Sequence, residues 1–548
     1  MSRIPLLVLL LAAATATAVG ETAQLPLSLE DATQRALVHN TGLAVERENV
    51  EQSGFGILGA RGAYDVFWNA SVGWRQHTDP VNSAFSGAPA GDLAPEIESG
   101  TASTSFSRLL PTGGTVSLFG GWDRSTTDSV FTILSPAYST DVGVAFRQPL
   151  LRDLSIDPAR EALRVAAADH SASEARLIRV VSDTVREVDT AFWSLVAARR
   201  DVASIESAVA LAEKQLSETK SRVEAGTLGE TEVAQPTAER ERRKGDLALA
   251  RQRVAQAENT LKFLVLGDPR DPSWSAEIVP AGDPETATTR PDVEKALETA
   301  FARRPEIAEA KARWARFEVQ VAARASDLKP RLDLVAAYER RGFAGRRNPN
   351  SVGLGGEPVV VPPPLQGTWG RSYGTIADNE FPDASVGVSF SLPIGNRTAR
   401  ANLATAKSAL SQATLAVSAE EQQVQAEVRN AAFALESARQ RIEAARAARA
   451  AAETQLYAEQ ERFAVGMSTN FVVLTRQNDL TNARVTENSA LTDYRKAATE
   501  FARATGVLLE ERGISTTTGS PQAGSPSGGL AGTSRSPQRP FGRGPSPG

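Results

Sequence analysis

The stretch "DASVGVSFSLPIGNRTARANLATAKSAL", Asp383 to Leu410, changes its period in mid-course. Before Pro393 the residues Val386, Val388, Phe390 and Leu392 face one way, and Ser385, Gly387, Ser389 and Ser391 the other. That alternation of two belongs to a strand with one apolar face. After Pro393 the chain becomes Ala-rich and unbroken, as a helix requires. The stretch "TDVGVAFRQPLLRDLSIDPAREALRVA", Thr140 to Ala166, makes the same passage around Pro149. Pro149 and Pro393 are therefore read as paired strand-to-helix junctions, since proline ends a hydrogen-bond ladder.

The two junctions belong to a longer duplication. Adding 240 to a residue number carries Ala159-Arg160 onto Ala399-Arg400, Leu163 onto Leu403, Glu187-Val188 onto Glu427-Val428, and Arg222 and Gly226 onto Arg462 and Gly466. Upstream the offset changes, and Asn40-Thr41-Gly42-Leu43 sits against Arg304-Pro305-Glu306-Ile307. The chain divides accordingly into a leader (1–18), a first copy (25–266), a linker (267–291), a second copy (292–510) and a Pro/Gly/Ser-rich tail (513–548) expected to be disordered. Each copy reads helix, strand region, long helix, turn, shorter helix.

The long helices span about residues 157–224 and 398–465. At ~1.5 Å per residue each is a rod of roughly 100 Å. Their apolar seams step by three and four: Val188, Ala191, Leu195, Ala198, Val202 and Ile205, then Val428, Ala431, Leu435, Ala438, Ile442 and Ala445. That spacing specifies coiled-coil packing. The rods end at "RVEAGTLGETEVAQ" and "RFAVGMSTNFVVLTRQ", where Gly226 and Gly466 are placed to take the left-handed conformation that closes a helix. Thr231 and Thr469 are expected to cap the returning helices. Helical segments near 29–62 and 292–327 would complete the pairing along each rod.

Alternating strands recur at Trp68–Trp74, Val142–Phe146, Leu332–Tyr338 and Val386–Leu392, with an extra hairpin at Thr101–Trp122 turning over Pro111-Thr112-Gly113-Gly114. Apolar-out, small-polar-in segments of ~9–11 residues mark a transmembrane β-barrel. Trp68, Trp74, Phe146, Tyr338 and Phe390 are the expected lipid-facing residues. The second copy's outer loop is expected over about 342–383, and the loop after the extra hairpin over about 123–138. Six strands result, or four if the hairpin folds over the barrel mouth. An open sheet edge cannot persist in lipid, so copies of the chain must share one barrel. The fold class is thus an α+β membrane protein: a β-barrel shared between protomers, joined to a long helical coiled-coil barrel and internally duplicated.

The opening "MSRIPLLVLLLAAATATAVG" has the layout of a secretory leader with cleavage near Ala18. The chain has no cysteine, three scattered histidines, two methionines and a net charge of -5, which argues against disulfides, metal clusters and a nucleic-acid partner. It contains no phosphate-cradling glycine loop, no zinc-binding H-E-x-x-H and no nucleophile–base pairing. No enzyme activity, cofactor or metal is expected. The rival reading is a secreted structural stalk or periplasmic scaffold, which accounts for the heptads and leaves the strands without a role.

With the doubled "FRQPLL" and "FSLPIG" junctions, the "RVEAG" and "RFAVG" tips and the helix-to-strand passage "AASDLKPRLDLVAAY", the sequence resembles the TolC-like outer membrane efflux protein family over about residues 25–510. The resemblance implies a homotrimer with an outer-membrane barrel, usually of 12 strands but of 18 if the extra hairpin joins the wall, and a long periplasmic helical barrel. It would serve as the exit duct of a tripartite efflux pump or type I secretion system, with an inner-membrane transporter supplying energy. A periplasmic adaptor would dock at Arg222, Gly226, Thr227 and Leu228, and at Arg462, Gly466, Met467 and Ser468. Family members often carry Asp six residues after each tip glycine, at the inner aperture. Here those positions are Glu232 and Val472, and Thr475 also replaces an Asp seen in some members. These departures argue against an acidic constriction on the second tip, and an apolar closure around Phe471 and Val472 is expected in its place.

Overall fold

The computed structural model describes residues 24–78, 80, 87–282, 291–353 and 355–515. The expected leader and most of the tail lie outside them.

In chain order the first copy comprises β1 (Gln24–Ser28), α1 (Leu29–His39), α2 (Thr41–Arg61), β2 (Val66–Thr78), β3 (Glu96–Leu109), β4 (Thr115–Thr127), β5 (Leu134–Pro149), α3 (Pro158–Glu224) and α4 (Ala234–Val265). Then follow β6 (Glu277–Ala281), α5 (Val293–Arg303), α6 (Pro305–Ser326), β7 (Arg331–Arg347), α7 (Trp369–Ala377), β8 (Phe381–Ser391), α8 (Arg397–Ala464), α9 (Asn470–Ala504) and the short α10 (Leu508–Glu511). The rods α3 and α8 hold 67 and 68 residues, about 100 Å each. Rod α3 packs on α4 and α2 of its own copy and on α6 and α9 of the other, and α8 packs on α9, α6 and α5.

The heptad seams are the inner faces of these contacts. Val188, Leu195 and Phe192 are fully buried with Leu261, Val265 and Ile278 in one cluster. Val424, Val428 and Ala431 pack with Leu297 and Ile307 in another, and Ala438, Ile442 and Ala445 with Leu491 and Tyr494 in a third. Small Ala knobs let the helices approach closely.

Each short helical segment is broken once, at Asn40 and at Arg304, and both breaks are tied to the end of a return helix. Asn40 Nδ2 donates to the Leu264 carbonyl at 3.3 Å, and Arg304 Nη1 to the Ala504 carbonyl at 3.3 Å. Leu264 and Ala504 are themselves 240 residues apart, so two different side chains make one duplicated joint. The stretch expected as a linker holds more than a connection, because β6 pairs in parallel with β1 from Gln24↔Glu277 to Ser28↔Ala281.

All six strands of the β region lie in one sheet, in the order β2-β3-β4-β5-β7-β8, every neighbour antiparallel. The extra hairpin is part of this wall and does not fold over its mouth. The strands run to 11–17 residues, longer than expected, because pairing continues past the apolar band. The loop after the hairpin accordingly shrinks to 128–133, and the loop of the second copy to 348–380. That second loop folds back and lays α7 on β5 and β7: Thr140 and Ser372 share a hydroxyl hydrogen bond at 2.8 Å, and Trp369 packs on Tyr138 at 4.9 Å between ring centroids. Gly342 lets the α7 backbone approach, because a Cβ there would run into the Ser372 carbonyl.

The four residues by which the first junction exceeds the second, around 152–156, form a clamp between copies. Arg152 Nη2 donates to Asp327 Oδ1 at 2.6 Å, the Asp153 amide donates to Ser326 Oγ at 3.2 Å, and Ile156 is buried. Asp157 then caps α3 through the Arg160 amide at 2.8 Å.

Candidate functional site: the paired tips and the two-faced wall

At the far ends of the rods the two copies build the same turn from the same positions. Gly226 has φ +73° and Gly466 φ +79°. The Thr227 amide donates to the Arg222 carbonyl at 2.9 Å and the Gly226 amide to Val223 at 2.9 Å. The Met467 amide donates to Arg462 at 2.9 Å and the Gly466 amide to Phe463 at 3.2 Å. This pair of bonds satisfies the last helical carbonyls and turns the chain back. Thr227 Oγ1 adds a bond to the Arg222 carbonyl at 2.8 Å.

The fold brings the two tips together. The Arg222 guanidinium lies over the Phe463 ring at 4.6 Å. Gln215 and Asn470, both buried, are joined by a 2.6 Å hydrogen bond from α3 to the start of α9. Arg242 Nη2 donates to Asn478 Oδ1 at 2.8 Å, and Asn488 reaches Asp201 and Ser204, each at 3.3 Å. Burial holds the Asp201 carboxyl above the usual range, only partly offset by the bond from Asn488. Leu456, Val473 and Leu480 form the apolar support with Leu211 and Phe463 against them. Phe463 and Asn470 lie within the tip motif itself, but no local signal in the sequence marks Arg222 as the partner of the one or Gln215, 255 residues away, as the partner of the other.

Among the other tip residues, Gly226, Thr227, Gly466 and Met467 are exposed, and Leu228 and Ser468 are half-buried. Ser468 Oγ donates to Glu459, which also pairs with Arg462 at 3.6 Å. Glu232 lies in a 3-10 turn, exposed. Phe471 is 62% exposed, Val472 is half-buried, and Thr475 Oγ1 bonds back to the Phe471 carbonyl at 2.9 Å. Of the two expected caps, Thr469 stands at the N-cap of α9 in an extended conformation but makes no side-chain capping bond, whereas Thr231 sits within the 3-10 turn and α4 begins after Val233, also without a side-chain cap. The preceding turns already fix the chain direction, and Pro236 falls in the first turn of α4, where its missing N–H costs nothing.

The sheet has two chemically distinct faces. The register sets Trp68, Phe106, Leu118, Val144, Tyr338 and Ala384 in a single row across the six strands. Trp74, Phe146 and Phe390 point to that same face by parity, and Trp68 (67%) and Phe390 (63%) are largely exposed. The neighbouring row, on the other face, reads Phe67, Ser107, Ser117, Ala145, Ala337 and Ser385. This second face also carries two separate ion groups, Arg341 on Glu339 at 2.7 Å and on Asp383 at 3.2 Å toward one end, and Arg147 on Asp333 at 2.9 Å toward the other. Pro149 closes β5, and Pro393 follows the last residues of β8. Among the described residues no helix is long and apolar enough to cross a membrane, and no acidic/His group is arranged to hold a metal ion.

A strand wall with one apolar and one polar face, continued by helical rods, is an architecture suited to a membrane channel. The family model for outer membrane efflux proteins matches residues 110–266 and again 296–507, and the chain belongs to that family, whose members are passive channels. The two separate matches agree with the duplication. No curated protein matches the sequence. Among solved structures, the fold is shared with the CmeC outer membrane channel of Campylobacter jejuni at 16% identity, covering 88% of this chain and 86% of that one with a TM-score of 0.61. It is shared also with the outer membrane protein VceC of Vibrio cholerae at 16% identity, 87% and 96% coverage and a TM-score of 0.59. The MtrE outer membrane channel of Neisseria gonorrhoeae, solved in an open state, matches at 19% identity, 88% and 89% coverage and a TM-score of 0.57.

Proposed function

We propose that this chain forms, as a homotrimer, the outer-membrane exit duct of a tripartite efflux pump or type I secretion system. The observation that carries the reading is the continuity of two different solvents' surfaces along one chain. An apolar sheet face suited to lipid passes at Pro149 and Pro393 into rods about 100 Å long, whose ends are matched, exposed turns. Such rods reach far into the periplasm, where an adaptor meets the tips at Arg222, Gly226, Thr227 and Leu228 and at Arg462, Gly466, Met467 and Ser468. An inner-membrane transporter supplies the energy.

In the resting state the tips are held inward by the α3–α9 bonds, Gln215 to Asn470 and Asn488 to Asp201. Phe471 and Val472 line an apolar closure, with Glu232 the acid of the first tip. The adaptor favours a splayed arrangement and so shifts a two-state equilibrium. Charge reversal of Arg222 removes its stacking on Phe463, and reversal of Arg462 its contact with Glu459. Both variants, Arg222→Glu and Arg462→Glu, are expected to insert normally and lose adaptor cross-linking and export. Unchanged export in both overturns the docking assignment, and a chain that stays soluble without detergent overturns the duct.

A further inference from the structure

The resemblance carries an expectation of four strands per protomer, yet the sheet holds six. We propose that three protomers close an 18-stranded barrel by pairing β8 of one with β2 of the next, so that the outer pore is about half as wide again as a 12-stranded one. This rests on the trimeric duct described above.

Three observations support the closure. First, the inserted strands are laddered on both sides: β3 pairs over 13 positions with β2 and 13 with β4, and β4 over 11 with β5, without a register shift in these pairings. Nothing leaves the hairpin free to fold away. Second, the chemistry of the insertion matches the wall. Phe106 and Leu118 stand exposed in the same apolar row as Trp68 and Val144, and Ser107 and Ser117 stand in the polar row. A hairpin capping the mouth would need no such apolar face. Third, among the described residues the two ends of the sheet carry no further strand: every residue of β8 and nearly every residue of β2 is exposed, and the outer edge of each is left to a neighbour. Unpaired backbone groups are not tolerated in lipid. With six alternating strands, β8 runs opposite to β2, so a neighbouring copy presents the antiparallel partner that the edge requires.

At a strand spacing of about 4.8 Å and a tilt of about 40°, 18 strands enclose roughly 36 Å between backbones, against roughly 24 Å for 12. The cross-section is about twice as large. On the face turned to that interior Ser103, Ser105, Gly387 and Ser389 are small, and they stand beside Phe119 and the Arg341 and Arg147 ion groups.

The chain has no cysteine, so introduced pairs report without background. Ala70 of β2 and Val142 of β5 share a row of the register with two strands between them, roughly 14 Å apart. That exceeds the ~7 Å reach of a disulfide. In full-length protein oxidised in detergent, Val72→Cys or Ala70→Cys combined with Val386→Cys or Val388→Cys is expected to give a covalent ladder ending at three chains. Ala70→Cys with Val142→Cys is expected to give no bond. An electron-microscopy reconstruction of the unmodified protein should count 18 strands. An intrachain 70–142 disulfide, or a ladder ending at two chains, overturns the 18-stranded barrel while leaving a membrane channel. A monomer that needs no detergent overturns the duct reading itself.

Discussion

Glu427 is the most informative single residue to remove. Its Oε2 accepts from Arg304 Nη2 at 2.8 Å and from Arg503 Nη2 at 3.0 Å, and its Oε1 from Gln423 at 3.0 Å. The Arg304 side chain is 2% exposed and also holds Glu306 at 2.8 Å, while Arg503 holds Glu500 at 2.8 Å and lies 3.6 Å from Asp183 of α3. This network fastens the α5–α6 break to both rods. Removing one partner of a buried ion pair costs ~3–5 kcal/mol. Glu427 is about a quarter exposed and both arginines keep another carboxylate, so Glu427→Ala is expected at the low end, about 3 kcal/mol, or roughly 100-fold in the unfolding equilibrium. Burial by itself would raise the Glu427 carboxyl, but the bonds from Gln423 and Arg304 and the two positive charges outweigh it and hold it below the usual range. A depressed carboxylate stabilises the fold above its unfolded-state value, and that stabilisation disappears as pH falls through the folded-state value. The loss in Glu427→Ala should therefore be full at pH 7 and shrink at pH values below the ordinary carboxylate range. Urea unfolding in detergent, followed by helical circular dichroism, measures both. A loss under about 0.5 kcal/mol at pH 7, or one that grows on acidification, refutes the reasoning.

Other perturbations test the remaining parts. Gln215→Ala leaves Asn470 Oδ1 buried without its partner, at a cost of ~1–3 kcal/mol, and should raise leakage of large antibiotics into cells without adaptor. Arg222→Ala loses the stacking on Phe463, worth ~0.5–1 kcal/mol, and should speed tip hydrogen exchange while leaving the rods unchanged. Gly466→Ala meets no atom within 4 Å, so its cost is the left-handed backbone alone, about 1–2 kcal/mol, seen as fraying at the α8 end. Phe192→Ala empties the centre of the cluster joining α3, α4 and the β1–β6 pair, and a thermal melt should show ~3–5 kcal/mol lost.

Local rules carried the sequence a long way. The period-two strands, the heptad seams and the glycines at Gly226 and Gly466 are each set by near neighbours along the chain, the 240-residue repeat is legible because the same local patterns are written twice, and together they gave the principal strands and the rod ends to within a residue or two. The junction at Pro393 is legible for the same reason, because proline acts on its own backbone. What the tertiary structure decided is whatever needs distant residues side by side. The pairing of β1 with β6 joins segments about 250 residues apart, and no local signal marks five-residue strands as partners. Arg222 meets Phe463, Gln215 meets Asn470, and Arg304 meets Glu427 and Arg503 only once the rods have packed. Likewise the extra hairpin could have capped the mouth or widened the wall on sequence alone. Only the ladders on both its sides, which are contacts between strands and not properties of either, place it in the wall.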